Sequence, residues 1–297
     1  MPSLPAHSTT AVPPRRATVE AAAPGPGGRR ARLAGPVRAA SLAGAALLLA
    51  CGAVGQGTTA VASSSPADAG CQAAAVCTDF EDQSGSTPGG AWQTVAPDCQ
   101  GTGTATVDTA VAHSGTRSIR VDGGTGYCNH VFVATTADLS SVGPVVYGRL
   151  WVRHTTPLPA SHVTMVAMPD ASQGGRALRV GGQNGALQWN RESDDATLPE
   201  QSPAGVALST PLPTDRWACL RFEVDTTRQS MATWLDDAEV PGLHVDGTPT
   251  QDVDGQWLRS GTAPRPTGLR LGWESYGSGA DTVWYDDVAL GSSPQSC

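Results

Sequence analysis

The chain has 297 residues and a formal net charge of −8, and since it contains no lysine all 19 of its basic residues are arginine. Beyond the first 40 residues no basic cluster occurs, which argues against a nucleic-acid binder and against docking on anionic membranes. No GxSxG, HExxH or phosphate-loop motif is present, so serine-hydrolase, zinc-peptidase and nucleotide-dependent chemistry are set aside.

Residues 1–62 read as an export segment. Six arginines (Arg15, Arg16, Arg29, Arg30, Arg32 and Arg38) precede an apolar run over 39–54, and Ala60-Val61-Ala62 supplies a small-x-small cleavage pattern. The apolar run falls short of the roughly 20 residues of a spanning helix. Arg29-Arg30 keeps a twin-arginine route open, and Leu48-Leu49-Ala50-Cys51 keeps a lipid anchor at Cys51 as the alternative to secretion. Residues 63–75 form a Ser/Ala/Pro-rich linker. After the export segment 13 arginines face 26 acids, a balance of −13. Cys71, Cys77, Cys99, Cys128, Cys219 and Cys297 remain, with no CxxC pair, and read as three disulfides of a secreted protein. Cys99 with Cys128 is the expected pair, because short strands lie between them; the others stay open.

From 76 onward frequent Gly and Pro exclude long helices. Strands are expected at 116–121, 147–153, 162–168, 177–180, 186–190, 217–224, 231–235, 268–276 and 282–290, and an irregular surface loop at 192–215. Many short strands without crossover helices predict an all-β fold, a jelly-roll β-sandwich forming one domain over 76–297.

Alternation sorts the faces. Over 147–153, Leu150 and Val152 point inward, while Tyr147, Arg149, Trp151 and Arg153 form an outer stripe. Over 268–276, Leu269, Leu271 and Trp273 point inward and Arg270, Glu274 and Tyr276 outward. If these strands share one curved sheet, its concave face suits a sugar chain, because aromatic rings stack on pyranose rings and arginine forks bind carboxylates. A polysaccharide is the expected partner and a monomer the expected state, with no nucleic acid and no membrane involved once the export segment is removed.

Three separated segments carry a resemblance: Cys77-Thr78-Asp79-Phe80-Glu81-Asp82, Ala112-His113-Ser114-Gly115-Thr116-Arg117-Ser118-Ile119-Arg120-Val121, and Trp284-Tyr285-Asp286-Asp287-Val288. This frame resembles secreted jelly rolls of the carbohydrate-binding-module kind. With the middle segments 147–155, 181–195 and 271–277, the chain resembles the core domain of the cellulose-induced-protein family. That resemblance implies a concanavalin-like jelly roll similar to polysaccharide lyases acting on glucuronan and alginate. The frame also implies a structural calcium at Glu81 and Asp286, with oxygens from the His113–Ser114 turn and with Asp79 or Asp287 in reserve.

Such lyases abstract the proton beside a uronic-acid carboxylate and expel the linked sugar. The reaction needs a carboxylate-neutralising group, a base and an acid. By resemblance the neutralising group is Arg153 or Arg191 with Gln183 or Asn184, the base His154 or His162, and Tyr276 the acid or the base. Asn184, Gln188, Trp189 and Glu192, in the polar stretch 181–192, join Arg149, Trp151 and Glu274 as sugar-contacting candidates. The chain departs from the alginate-lyase pattern: Gln183 precedes Asn184 and Gly185, not x-His, and the terminal Tyr/Lys motif keeps only Tyr276. Three readings stand beside the lyase: a non-catalytic carbohydrate-binding module, a glycoside hydrolase using two of Glu192, Glu223 and Glu274, and a cell-surface interaction module.

Overall fold

The computed structural model describes Cys71 and residues 74–297. The expected export segment, Cys51 and most of the linker lie outside these residues. In chain order the strands are β1 (Val76–Thr78), β2 (Trp92–Val95), β3 (Thr104–Asp108), β4 (Ser118–Gly123), β5 (Gly126–Thr135), β6 (Val145–His154), β7 (Val163–Pro169) and β8 (Ala177–Gln183). There follow β9 (Ala186–Arg191), β10 (Ala196–Leu198), β11 (Ala218–Asp225), β12 (Ser230–Leu235), β13 (Ala238–Glu239), β14 (Arg270–Gly277) and β15 (Asp281–Gly291). All nine expected strands occur. The expected loop at 192–215 is not wholly irregular, because it contains β10 and a helical turn at Pro203–Val206.

The strands form two antiparallel sheets, a jelly-roll β-sandwich. One runs β13-β12-β11-β6-β15-β4-β3, with β1 added on β15; the other runs β10-β9-β8-β7-β14-β5-β2. The apolar half of each alternating strand fills the space between them: Ile119, Leu150, Phe222 and Tyr285 from the first sheet, Val133, Trp189, Leu271 and Trp273 from the second. Polar tips in this core find partners, as buried polar groups must. Trp189 donates its indole N–H to Thr233 Oγ1 across the sandwich at 2.8 Å. Gly148 lies where a Cβ would stand 2.2 Å from the Phe222 ring, so only glycine admits that ring between β6 and β11.

Local chemistry sets the connections. Asn184 and Gly185, with φ of 54° and 80°, make the two-residue turn joining β8 to β9, the conformation for which Asn-Gly is suited. Cys99 pairs with Cys128 as expected, and the other disulfides join Cys71 to Cys77 and Cys219 to Cys297. Three disulfides fit an oxidising, extracellular setting. Among the described residues no helix is long and apolar enough to cross a membrane.

The structure corrects one expectation directly. Strand β6 lies in the first sheet and β14 in the second, so their outer faces point away from each other and do not pool their side chains in one groove.

Candidate functional site

The polar centre of the molecule lies on the outer face of the second sheet. Its register sets Asn190 beside Arg179 on β9 and β8, and Glu274 of β14 between Thr164 of β7 and His130 of β5. Arg179, Asn190, Glu274, Thr164 and His130 are all buried, although they stand on the side of the sheet away from the core. Such groups are costly to desolvate unless they are paired.

Arg179 is the hub. Its Nε and Nη2 donate to Asn190 Oδ1 at 3.0 and 2.7 Å, and its Nη1 donates to Glu274 Oε1 at 2.7 Å and to the Tyr276 hydroxyl at 2.6 Å. Burial alone would lower the guanidinium, but Glu274 and Tyr276 more than offset it, so it stays firmly charged. Burial, and then the Glu274 carboxylate, raise the Tyr276 phenol well above its ordinary range, and Tyr276 keeps its proton. Two imidazoles flank that phenol, His162 with its ring centroid 5.3 Å from the Tyr276 ring and His130 at 5.8 Å. Burial, then the charge of Arg179, push His162 down to about 3, so its imidazole is neutral at ordinary pH. His130 Nδ1 donates to the Pro97 carbonyl at 2.7 Å, while its buried Nε2 has no partner. Thr164 Oγ1, Gln188 Oε1 and Thr197 Oγ1, on the same sheet, are likewise buried without partners. Buried polar atoms left unpaired within the protein are the usual mark of a place where water or ligand is held.

The face continues toward β5 and β2. Arg270 shares a row with Arg179 through Ala167, two strand spacings or roughly 10 Å away. It forms no ion pair among the described residues, and it borders a hollow of about 340 Å³ lined by Gln93, Val95, Pro97 and Ala134. A committed cation beside an acid and two imidazoles, with a free cation farther along, can bind an anionic chain and move a proton.

The residues singled out from the sequence divide between the faces. Tyr276, Glu274 and Gln188 belong to this centre, and Gln183 and Asn184 lie at the β8–β9 turn that ends it. Glu192 stands at its edge and accepts from the Ala177 N–H at 2.6 Å. Six others are elsewhere. His154 is fully buried in the core, with Nδ1 2.8 Å from Asp281 and Nε2 3.0 Å from the Leu212 carbonyl, because its strand position faces inward. Arg191 grips Asp194 with two nitrogens and lies 4.9 Å over the Trp257 ring. Trp189 is wholly inside the sandwich. Arg153 lies over Trp284 at 5.8 Å on the opposite sheet, where Trp151 stacks on His113 at 3.7 Å and Arg149 is buried under the C-terminal tail, donating to the Ser296 carbonyl.

Arg179, Asn190, His130 and Thr164 were not singled out from the sequence. Alternation of Leu178, Arg179 and Val180 does place Arg179 outward, and that was the available signal. Nothing in one sequence puts β14 beside β7, within side-chain reach of β8.

The frame segments that carry the calcium expectation do meet. Glu81 accepts the N–H groups of Thr116 and Arg117, each at 2.6 Å, and Asp286 accepts those of His113 and Ser114 at 2.7 and 3.2 Å. Asp287 accepts from the Ser114 hydroxyl and lies 2.5 Å from His113 Nδ1. Burial, then the Asp287 charge, push the Asp286 carboxyl up to about 7. No group of three or more His, Cys, Asp or Glu side chains able to hold a metal ion occurs among the described residues. Calcium here would draw most of its six to eight oxygens from turn carbonyls and water.

Residues 79–293 match the family described as polysaccharide-lyase-like, Cip1-like core domain. Among solved structures the chain is similar to cellulose induced protein, Cip1, at 41% identity and a TM-score of 0.69, covering 75% of this chain and 99% of that one. It is also similar to an endo-β-1,4-glucuronan lyase from the fungus Trichoderma reesei, at 14% identity and a TM-score of 0.41 over 70% of this chain and 94% of that one. The CBM22-1 xylan-binding domain of Paenibacillus barcinonensis Xyn10C matches at 14% identity and a TM-score of 0.35 over 73% of this chain and 93% of that one. No curated protein matches the sequence.

Proposed function

Because the chain belongs to the polysaccharide-lyase-like family of Cip1-like core domains, we propose that the face around Arg179 and Tyr276 takes a uronic-acid polysaccharide and cleaves it by β-elimination. The observation that carries this reading is the bond from Arg179 Nη1 to the Tyr276 hydroxyl, with neutral His162 alongside. Arg179 offsets the negative charge that builds on the uronate as its C5–H bond breaks. His162 accepts that proton, and protonated Tyr276 donates to the departing glycosidic oxygen. Arg270 holds the carboxylate of a neighbouring uronate.

The experiment is ultraviolet absorbance of the purified protein with glucuronan, alginate, pectate and neutral β-glucans. Growth of the unsaturated-uronate band on one polymer is the expected result. A second reading, a non-catalytic carbohydrate-binding protein, is favoured by the full engagement of Arg179 with Asn190, Glu274 and Tyr276. It predicts retention on a polymer without any absorbance change. Calcium at the 112–117 turn is part of the proposal as a structural ion, supported by the buried carboxylates Asp286 and Asp287 beside one turn.

A further inference from the structure

Tyr127 is exposed to 74%, and the only other exposed large hydrophobic side chain among the described residues is Leu208 at 41%. Strict alternation would hide it: Val131 and Val133 of β5 face the core, and counting back in twos puts position 127 on the same inner side. The ladder between β5 and β14 breaks that count. Ser275 pairs with Asn129 but Gly277 pairs with Gly126, so Tyr127 and Cys128 together oppose the single residue Tyr276. An extra residue of this kind is a β-bulge, which re-aims a side chain. Here it brings Tyr127 against Tyr276, ring centroids 5.6 Å apart and planes at 83°, edge to face.

The segment is held in this position. Cys128 is bridged to Cys99, the Asn129 side-chain amide donates to the Thr125 carbonyl, and Asn129 Oδ1 accepts from the Thr102 N–H at 3.0 Å. An exposed aromatic ring fixed in place next to the acid–base centre loses little freedom when a ligand covers it.

We propose that Tyr127 is a stacking platform for the apolar face of a pyranose ring, in the subsite next to the sugar that meets Tyr276. This rests on the polysaccharide reading of the same face, and it makes the bulge the device that defines the subsite.

The test uses purified protein with Tyr127→Ala and Tyr127→Trp. Affinity for uronic-acid and neutral β-glucan hexasaccharides is measured by calorimetry, and KM and kcat by ultraviolet absorbance on whichever polymer is cleaved. Tyr127→Ala should weaken hexasaccharide binding by about five- to tenfold, and Tyr127→Trp should restore it. Where turnover occurs, Tyr127→Ala should raise KM by more than it lowers kcat. Binding without turnover in the wild type sinks the lyase reading and leaves Tyr127 to be judged on affinity alone. Unchanged affinity in Tyr127→Ala overturns the platform, as does a wild type that binds none of the hexasaccharides.

Discussion

The Arg179 guanidinium and the Tyr276 hydroxyl are 2.6 Å apart, on strands separated by β7, with the arginine donating and the phenol oxygen accepting. The phenol therefore keeps its own hydrogen to give away. On the proposed reading, Tyr276→Phe removes the leaving-group acid and leaves the sugar-contacting groups in place. Turnover should fall by about 10²-fold or more while oligosaccharide affinity changes little. Unchanged turnover would remove Tyr276 from the mechanism.

The pH profile is a separate check. His162, at about 3, stays neutral through the physiological range, and Tyr276 stays protonated well past its ordinary value. kcat/KM should therefore be flat from about pH 5 to about pH 9. An acid limb with its midpoint in the ordinary histidine range would show that the base titrates as an ordinary imidazole, against the depressed value of His162.

The architecture was more legible than the site, for a physical reason. Period-two alternation reports which side of a strand is wet, and it placed Trp151, Arg153, Glu274 and Tyr276 on outer faces correctly. It reports nothing about which strands become neighbours. The Arg149–Trp151–Arg153 stripe and the Glu274–Tyr276 stripe look alike in sequence, yet β6 and β14 lie in opposite sheets. Arg191 and His154 lie away from the Arg179 centre, held by Trp257 and Asp281, which are 66 and 127 residues away in sequence. Tyr127 was hidden by a bulge, which alternation by itself does not foresee.

Calcium makes a prediction at the 112–117 turn. If the ion sits where Glu81 and Asp286 meet the turn, a chelator should lower the Tm of the wild type, and calcium should restore it. Asp286→Ala should remove that sensitivity. Identical melting curves with and without chelator would count against the site.

The His154–Asp281 pair is the clearest stability test in the core. Asp281 accepts from His154, from the Thr155 and Thr156 N–H groups and from the Thr155 hydroxyl, at 2.8 to 3.0 Å. Burial would raise its carboxyl, but these bonds from His154 and Thr155 hold it below the ordinary carboxylate value. A carboxyl depressed in the folded state stabilises above its unfolded value and loses that contribution as pH falls through the folded value. The loss should thus appear only below about pH 4. Asp281→Asn keeps the shape but removes the charge beside His154, and should cost about 3–5 kcal/mol at neutral pH. Denaturant titration of both proteins at pH 7 and pH 3 measures this, and the difference between them should shrink at the lower pH.

The C-terminal tail gives the last prediction. Cys297 is bridged to Cys219 across a sequence separation of 78, and the preceding Gln295 and Ser296 carbonyls accept from Arg221 and Arg149 at 3.2 and 3.4 Å. The tail thereby covers two arginines of the first sheet whose Nε atoms are buried and unpartnered. Opening a loop of that length returns chain entropy to the unfolded state, about 4 kcal/mol in the loop-closure treatment. For a domain of this size that corresponds to roughly 10 °C in Tm. Cys219→Ser with Cys297→Ser should lower Tm by about that amount. Because the tail lies on the sheet opposite Arg179 and Tyr276, affinity for oligosaccharide below the transition should not change. A loss of binding in the folded double variant would show that the two sheets are coupled and that the first sheet also contributes to the site.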